Sequence, residues 1–375
     1  MQFFQTVSKW PKPVIVFLGF VLVAILGVAD YVTGPEIFFL EVYLLPVILV
    51  AWFVSERAGI FVSIASAVCW FVDDVVGRPP HAQPAVPYLN VSVKLLVFLL
   101  FIHVVVILKE ALQREKLAEQ RRLERDIEIA AQVQKRLFPE LSLHLKRLDY
   151  AGICRPANKV AGDYYDFIPL DREKLAIALG DVAGKGLPSA LLMASLHGML
   201  RSFAVQYRED VVEIIHDVNA LMCASTDRNK YATLFYGLYD DADQTLTYVN
   251  AGHNPPVLLR PTNGHSKNGN GHHSYAASML PACGTVVGLF RDATHRKQTL
   301  RLERGDVLAL YTDGIVEATN ANDVEFGAEK LLNLLGSHLD LSAKALSEMV
   351  MDGVNEHTGN AVPQDDQTLV IIKAL

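Results

Sequence analysis

The chain has 375 residues, 51% of them apolar, and its 34 lysines and arginines against 41 aspartates and glutamates leave a net charge of -7. An acidic balance argues against a nucleic-acid partner, because phosphate backbones select basic surfaces. The apolar share is high for one soluble protein and is concentrated in the first 108 residues, which demand a different solvent. Cys69, Cys154, Cys223 and Cys283 are scattered with no CxxC pair, so they indicate neither a disulfide framework nor a thiolate zinc site.

Four apolar runs, at residues 14–29, 37–54, 58–76 and 89–108, have roughly membrane-spanning length. A cleaved signal peptide would account for the first alone, so residues 1–108 are expected to form a four-helix integral membrane domain. Lys9, Lys12, Arg57, Lys109, Arg114 and Lys116 fall on one side of this pattern. Asp30, Glu36, Asp73, Asp74 and Arg78 fall on the other, which places both termini in the cytoplasm. Glu41 and Lys94 sit in or at the edges of the runs, where long side chains can reach water and ionisable groups are otherwise expensive. The proline-rich stretch 79–87 reads as an external loop.

Residues 109–141 are rich in helix formers and reach Pro139 without a glycine or proline. Leu123, Ile127, Ala130, Gln134 and Leu137 alternate spacings of four and three, the seam of a short two-stranded coiled coil. The segment is therefore expected to join a homodimer and to transmit a shift from the membrane side. A single amphipathic helix packing on the following domain is the competing reading. Its basic residues interleave with Glu115, Glu119 and Glu124, as on a solvated flank.

From residue 142 to 375, strand and helix runs cluster rather than alternate, which favours an α+β domain over a doubly wound sheet. Its organising stretch is 160–189, VAGDYYDFIPLDREKLAIALGDVAGKGLPS. Asp163 and Asp181 each follow a glycine there, and an apolar run at 175–179 leads into Asp181 as a buried strand. Asp313, in Tyr311-Thr312-Asp313-Gly314, follows the run at 307–310, and Asp365-Asp366 precede the run at 369–372. Carboxylates suit hard divalent cations, and several brought together repel unless a cation or a proton lies between them. Four acidic positions at strand edges of one domain thus point to a binuclear metal centre assembled by folding. Gly184-Lys185-Gly186 is not a phosphate-binding P-loop, which needs GxxxxGK followed by Ser or Thr. Its glycines instead let the chain turn from the Asp181 strand into a helix with Pro188 in its first turn, whose N-terminus suits an anion.

Taken in order, AGDYYD, GDVAGKG, AGHNPP, YTDG and DDQT resemble the motifs of the protein phosphatase 2C-like, metal-dependent phosphatases of the bacterial SpoIIE/RsbU type, over about residues 130–375. The resemblance implies an α-β-β-α sandwich, two antiparallel sheets between helix pairs, here preceded by a helical membrane bundle and a coiled-coil connector. It implies two Mn2+ or Mg2+ ions held by Asp163, Asp181, Asp313 and one of Asp365 or Asp366, with Asp365 favoured, and by the backbone carbonyl of Val182. Asp181 is the expected bridge between the ions. Ala161-Gly162 stands where the family often has two glycines, which leaves Asp163 in place. The implied reaction is in-line hydrolysis of phosphoserine or phosphothreonine by an activated water, with no phosphoenzyme. The implied partner is a phosphorylated regulatory protein of the anti-sigma-factor antagonist type, met at the cytoplasmic face of a bacterial inner membrane. Asp166 and Asp366 are expected either to hold water around the ions or to be solvated turn carboxylates. His253 is expected to order the Asn254-Pro255-Pro256 turn rather than to act as a general acid. The stretch 262–274, with His265, His272 and His273, reads as a flexible loop. A catalytically inactive, membrane-tethered interaction module is the alternative, and retention of all these aspartates argues against it.

Overall fold

The structure is a computed structural model and describes residues 6–7, 9–33, 40–77, 84–139, 143–227, 229–262, 275–359 and 361–375. His265, His272 and His273 lie outside the described residues. The chain divides into two compact units, Met1–Leu123 and Glu124–Leu375.

In the first unit, α1 (Lys12–Thr33), α2 (Leu40–Phe53) and α3 (Glu56–Val72), which runs on into a π turn (Asp73–Gly77), are followed by α4 (Val86–Lys135). The helices at Lys12–Thr33, Glu56–Val75 and Val86–Lys135 are long and apolar enough to cross a membrane. The second of the four predicted runs, whose residues 37–39 lie outside the described residues, forms α2 up to Phe53, and Ser55 then caps α3, accepting from the N–H of Ala58 at 3.2 Å. Val23, Tyr43, Val47, Val50 and Phe98 pack inside the unit, yet Phe17, Val28, Leu45, Phe61 and Leu96 are exposed on its outside. An apolar exterior over an apolar interior leaves these helices no polar face for water. Lys94 stands with its ammonium 3.1 Å above the Trp70 ring. α4 begins inside the expected loop, since a proline in the first helical turn forfeits no intrahelical bond and Pro87 sits there.

The second unit contains two five-stranded sheets. One has the order β1 (Leu148–Arg155), β10 (Gln367–Ala374), β9 (Val307–Tyr311), β6 (Val257–Pro261), β7 (Tyr275–Met279). The other runs β2 (Asp163–Pro169), β3 (Lys174–Val182), β4 (Ala232–Asp240), β5 (Thr245–Ala251), β8 (Gln298–Arg301). Every pairing is antiparallel. Alternation along each strand gives each sheet two apolar faces, and three cores follow. Tyr165, Phe167, Ile177, Phe235, Leu308 and Val370 fill the layer between the sheets. α5 (Leu187–Tyr207) and α6 (Val211–Ser225) cover the second sheet through Met193, Leu196, Ile214 and Val218. α8 (Gly327–Ser337) and α9 (Ala343–Thr358) cover the first through Leu331, Leu335, Leu346 and Val350. α7 (Asp313–Val316) is a single turn after β9. The domain is the α-β-β-α sandwich that the sequence motifs imply.

Candidate metal centre

Alternation along β2 and β3 decides where the first two aspartates go. Tyr165 and Phe167 of β2, and Leu175, Ile177 and Leu179 of β3, face the other sheet. Asp163 and Asp181 share that parity and are register partners, so their carboxylates finish the same layer at its edge. Asp166 has the opposite parity and faces α5. Fully buried, it accepts from the Arg201 guanidinium at 2.7 and 2.8 Å, the Tyr164 hydroxyl at 2.8 Å and the N–H of Phe167 at 2.8 Å. The expectation that Asp166 holds water at the metal site is thereby corrected: it is a buried ion pair tying β2 to α5.

The remaining carboxylates come from the facing sheet. β9 ends at Tyr311, Thr312 caps α7 and Asp313 opens it, while Asp365-Asp366 lie just before β10, the ladder neighbour of β9. Gly314 permits the approach, since a Cβ there would stand 2.1 Å from the carbonyl oxygen of Asp366. The hydroxyls of Thr312 and Thr368 both donate to Oδ2 of Asp163, at 2.8 and 2.6 Å. Asp366 accepts from the N–H of Ala157 at 2.8 Å and from that of Gly162 at 2.6 Å, one on each oxygen, and so anchors the loop before Asp163. Asp365 points its Oδ2 to the ammonium of Lys185 at 2.7 Å. Gln134, near the end of α4, is buried and makes a reciprocal pair with Ala161: its amide donates to the carbonyl at 2.7 Å and accepts from the N–H at 2.9 Å. With Leu137 and Phe138 packed on the core beneath α5 and α6, this end of the predicted seam lies against its own catalytic domain.

Like charges so gathered raise one another. Burial and then Asp181 push the Asp163 carboxyl well above the usual range. Burial, followed by Asp313, Asp365 and Asp366, carries Asp181 up to about 7, and burial and then Asp365 raise Asp313. Lys185 works against the rise at both Asp181 and Asp313. Among the described residues, no three His, Cys, Asp or Glu side chains stand close enough together to grip one ion as placed. The donor chemistry nonetheless fits a hard divalent cation, with oxygen ligands from separate strand ends whose mutual repulsion is only partly answered by Lys185. Val182 ends β3 fully buried, and its carbonyl oxygen would lie 3.2 Å from a Cβ on Gly162, beside the loop that carries Asp163. His253 is buried, with Nδ1 2.8 Å from the Thr233 hydroxyl and its N–H donated to Asn250 at 2.8 Å. Burial takes its pKa down to about 4, so the imidazole is neutral at pH 7 and braces the turn.

A sandwich of this topology, with acidic strand ends collected at one edge, has the architecture of the phosphatase 2C fold. A family model described as Stage II sporulation protein E (SpoIIE) matches residues 171–375, and the chain belongs to that family. The match takes in Asp181, Asp313, Asp365 and Asp366, while Asp163 precedes it. Phosphoserine phosphatase RsbU of Bacillus subtilis (strain 168) is 28% identical over 254 residues, 68% of this chain and 71% of RsbU. Protein IcfG of Synechocystis sp. is 26% identical over 275 residues, covering 66% of this chain and 41% of IcfG, so the chain spans less than half of that relative. The solved SiaA-PP2C domain of Pseudomonas aeruginosa is similar in fold, with a TM-score of 0.58 at 18% identity over 68% of this chain and 98% of that domain.

Proposed function

We propose that the chain is a membrane-anchored, metal-dependent serine/threonine phosphatase that dephosphorylates a regulatory protein of the anti-sigma-factor antagonist type. The observation that carries this reading is the meeting of Asp163, Asp181, Asp313 and Asp365 at one edge of the sandwich, where burial and then acidic neighbours raise Asp163, Asp181 and Asp313. Those four, with the Val182 carbonyl, would hold two Mn2+ or Mg2+ ions. Bound there, such ions supply Lewis acidity that lowers the pKa of water and offsets phosphoryl charge. The protein's own part is preparation: Thr312 and Thr368 fix Asp163, and Asp366 ties down residues 157–162 through two backbone N–H groups. Asp365 is the better ligand of the acidic pair, because its Oδ2 meets only the half-exposed Lys185, whereas both oxygens of Asp366 are tied to the backbone of residues 157–162.

Three helices of sufficient length and apolarity support integral anchoring in a bacterial inner membrane, with residues 142–375 in the cytoplasm. Leu123 is exposed and Ile127 and Ala130 are only partly buried, so the N-terminal part of the seam is open and supports a homodimer through residues 109–141. The test is phosphate release from phosphoserine peptides by the detergent-solubilised chain with Mn2+, Mg2+ or excess chelator. Asp313→Asn is expected to abolish turnover and keep the fold. Unchanged turnover in that variant, or full activity in chelator, would refute the assignment.

A further inference from the structure

Gly184-Lys185-Gly186 joins β3 to α5, and both glycines are left-handed, at φ +111° and +77°. A Cβ on Gly186 would meet nothing and one on Gly184 only the tip of Lys230. Conformation, not space, therefore requires these glycines, and the conformation sets Lys185 in a fixed turn directly after the Asp181 strand. The ammonium lies 2.7 Å from Asp365 Oδ2 and donates to the carbonyl of Gln364 at 2.8 Å. An ammonium has three donors; among the described residues two of this one's are taken. Its side chain is 59% exposed and borders a cleft of about 190 Å³ lined also by Asp365, Gly314, Glu317, Thr319 and Val362.

We propose that Lys185 is the phosphate-positioning residue of this site, using its remaining N–H to hold a non-bridging oxygen of a phosphoserine or phosphothreonine that enters through this cleft. The inference rests on the metal-dependent phosphatase reading and names the group in it that receives the substrate's phosphate. Charge balance favours such a group. Five carboxylates outnumber the four positive charges of two divalent ions, so without Lys185 the loaded site would repel a phosphoryl dianion. A lysine serves as a point charge for phosphate.

The competing role is that of a counter-ion which merely fills in for the cations. Full-length Lys185→Ala and Lys185→Arg, solubilised in detergent with saturating Mg2+, are titrated with inorganic phosphate by calorimetry and assayed for KM and kcat on a phosphoserine peptide. Affinity for Mn2+ is measured alongside. Loss of a charge-assisted hydrogen bond weakens phosphate binding by about 10- to 100-fold in Lys185→Ala. KM is expected to rise with it, and Lys185→Arg to recover most of the loss. Tighter Mn2+ binding with phosphate affinity and KM unchanged would mean a counter-ion only and would overturn the proposal. Phosphate binding is read without turnover. A wild-type chain that binds phosphate through Lys185 and releases none from any phosphopeptide fails the hydrolase reading alone, and one that hydrolyses normally without Lys185 fails this inference alone.

Discussion

Replacing Asp181 by asparagine isolates the electrostatic strain of the site. Burial and acidic neighbours carry this carboxyl from an ordinary 3.8 to about 7. Because the folded value lies above the unfolded one, the stability associated with the group is complete below pH 4 and is lost as pH rises through 7. At about 1.36 kcal/mol per pH unit, holding Asp181 ionised at pH 8 without metal costs on the order of 4 kcal/mol. Asparagine removes the charge, but its amide still needs partners in a half-buried place, so about 2 kcal/mol is recovered. For a unit of this size that corresponds to about 4–8 °C in Tm. Scanning calorimetry of the detergent-solubilised chain in chelator should show Asp181→Asn melting above wild type at pH 8, with the gap closing toward pH 4. Saturating Mn2+ should reverse the order, because a ligand that binds only the folded wild-type site stabilises it by mass action. A variant that melts below wild type at pH 8 in chelator would show that Asp181 makes net favourable contacts in the metal-free fold, and the repulsion argument would fail.

Two further outcomes follow from contacts outside the carboxylate cluster. Arg201→Met leaves the fully buried Asp166 with one hydroxyl and one N–H, and is expected to destabilise the catalytic unit by about 3 kcal/mol, read as a lower Tm at every Mn2+ concentration with KM unchanged. Gln134→Ala removes both bonds to Ala161 and is expected to speed amide hydrogen exchange across residues 157–163 by about tenfold; exchange at the wild-type rate there would exclude a bracing role for α4.

Much of the site was legible because strand alternation is strict. The glycine-flanked Asp163 and Asp181 and the apolar runs beside them fix which face each carboxylate takes, and the same parity rule already turned Asp166, three positions along β2, to the opposite face. What the motifs hid was long-range. Lys185 matched no phosphate loop, and its partner Asp365 lies 179 residues beyond Gly186, so neither residue's role could be read locally. Thr312 and Thr368 flank the acidic motifs yet matter through a single oxygen of Asp163, reached only when β9 and β10 pair. β7 and β8 are edge strands with largely exposed residues, and neither carries the apolar run that marks a buried strand. Gln134 occupied a seam position, but a buried amide with two backbone partners is a docking contact and not a coiled-coil knob.

The partners of the carboxylates divide them into two kinds. Asp163 and Asp366 are held by neutral donors, two hydroxyls and two backbone N–H groups, so their positions do not depend on a cation. Asp365 is held on one oxygen by the Lys185 ammonium and on the other by the N–H of Asp366 at 2.9 Å, while Asp181 and Asp313 are raised by burial and then by their acidic neighbours. The fixed half of the site also meets α4: Ala161 gives both of its backbone groups to Gln134, and the next N–H, that of Gly162, goes to Asp366. One peptide unit thus stands between the helix and the acidic motif, and Asp163 follows immediately. A displacement of Gln134 along the axis of α4 is therefore expected to move residues 157–163, and with them Asp163. Faster exchange across 157–163 in Gln134→Ala, with Arg201→Met leaving that segment unchanged, is the pattern this route requires.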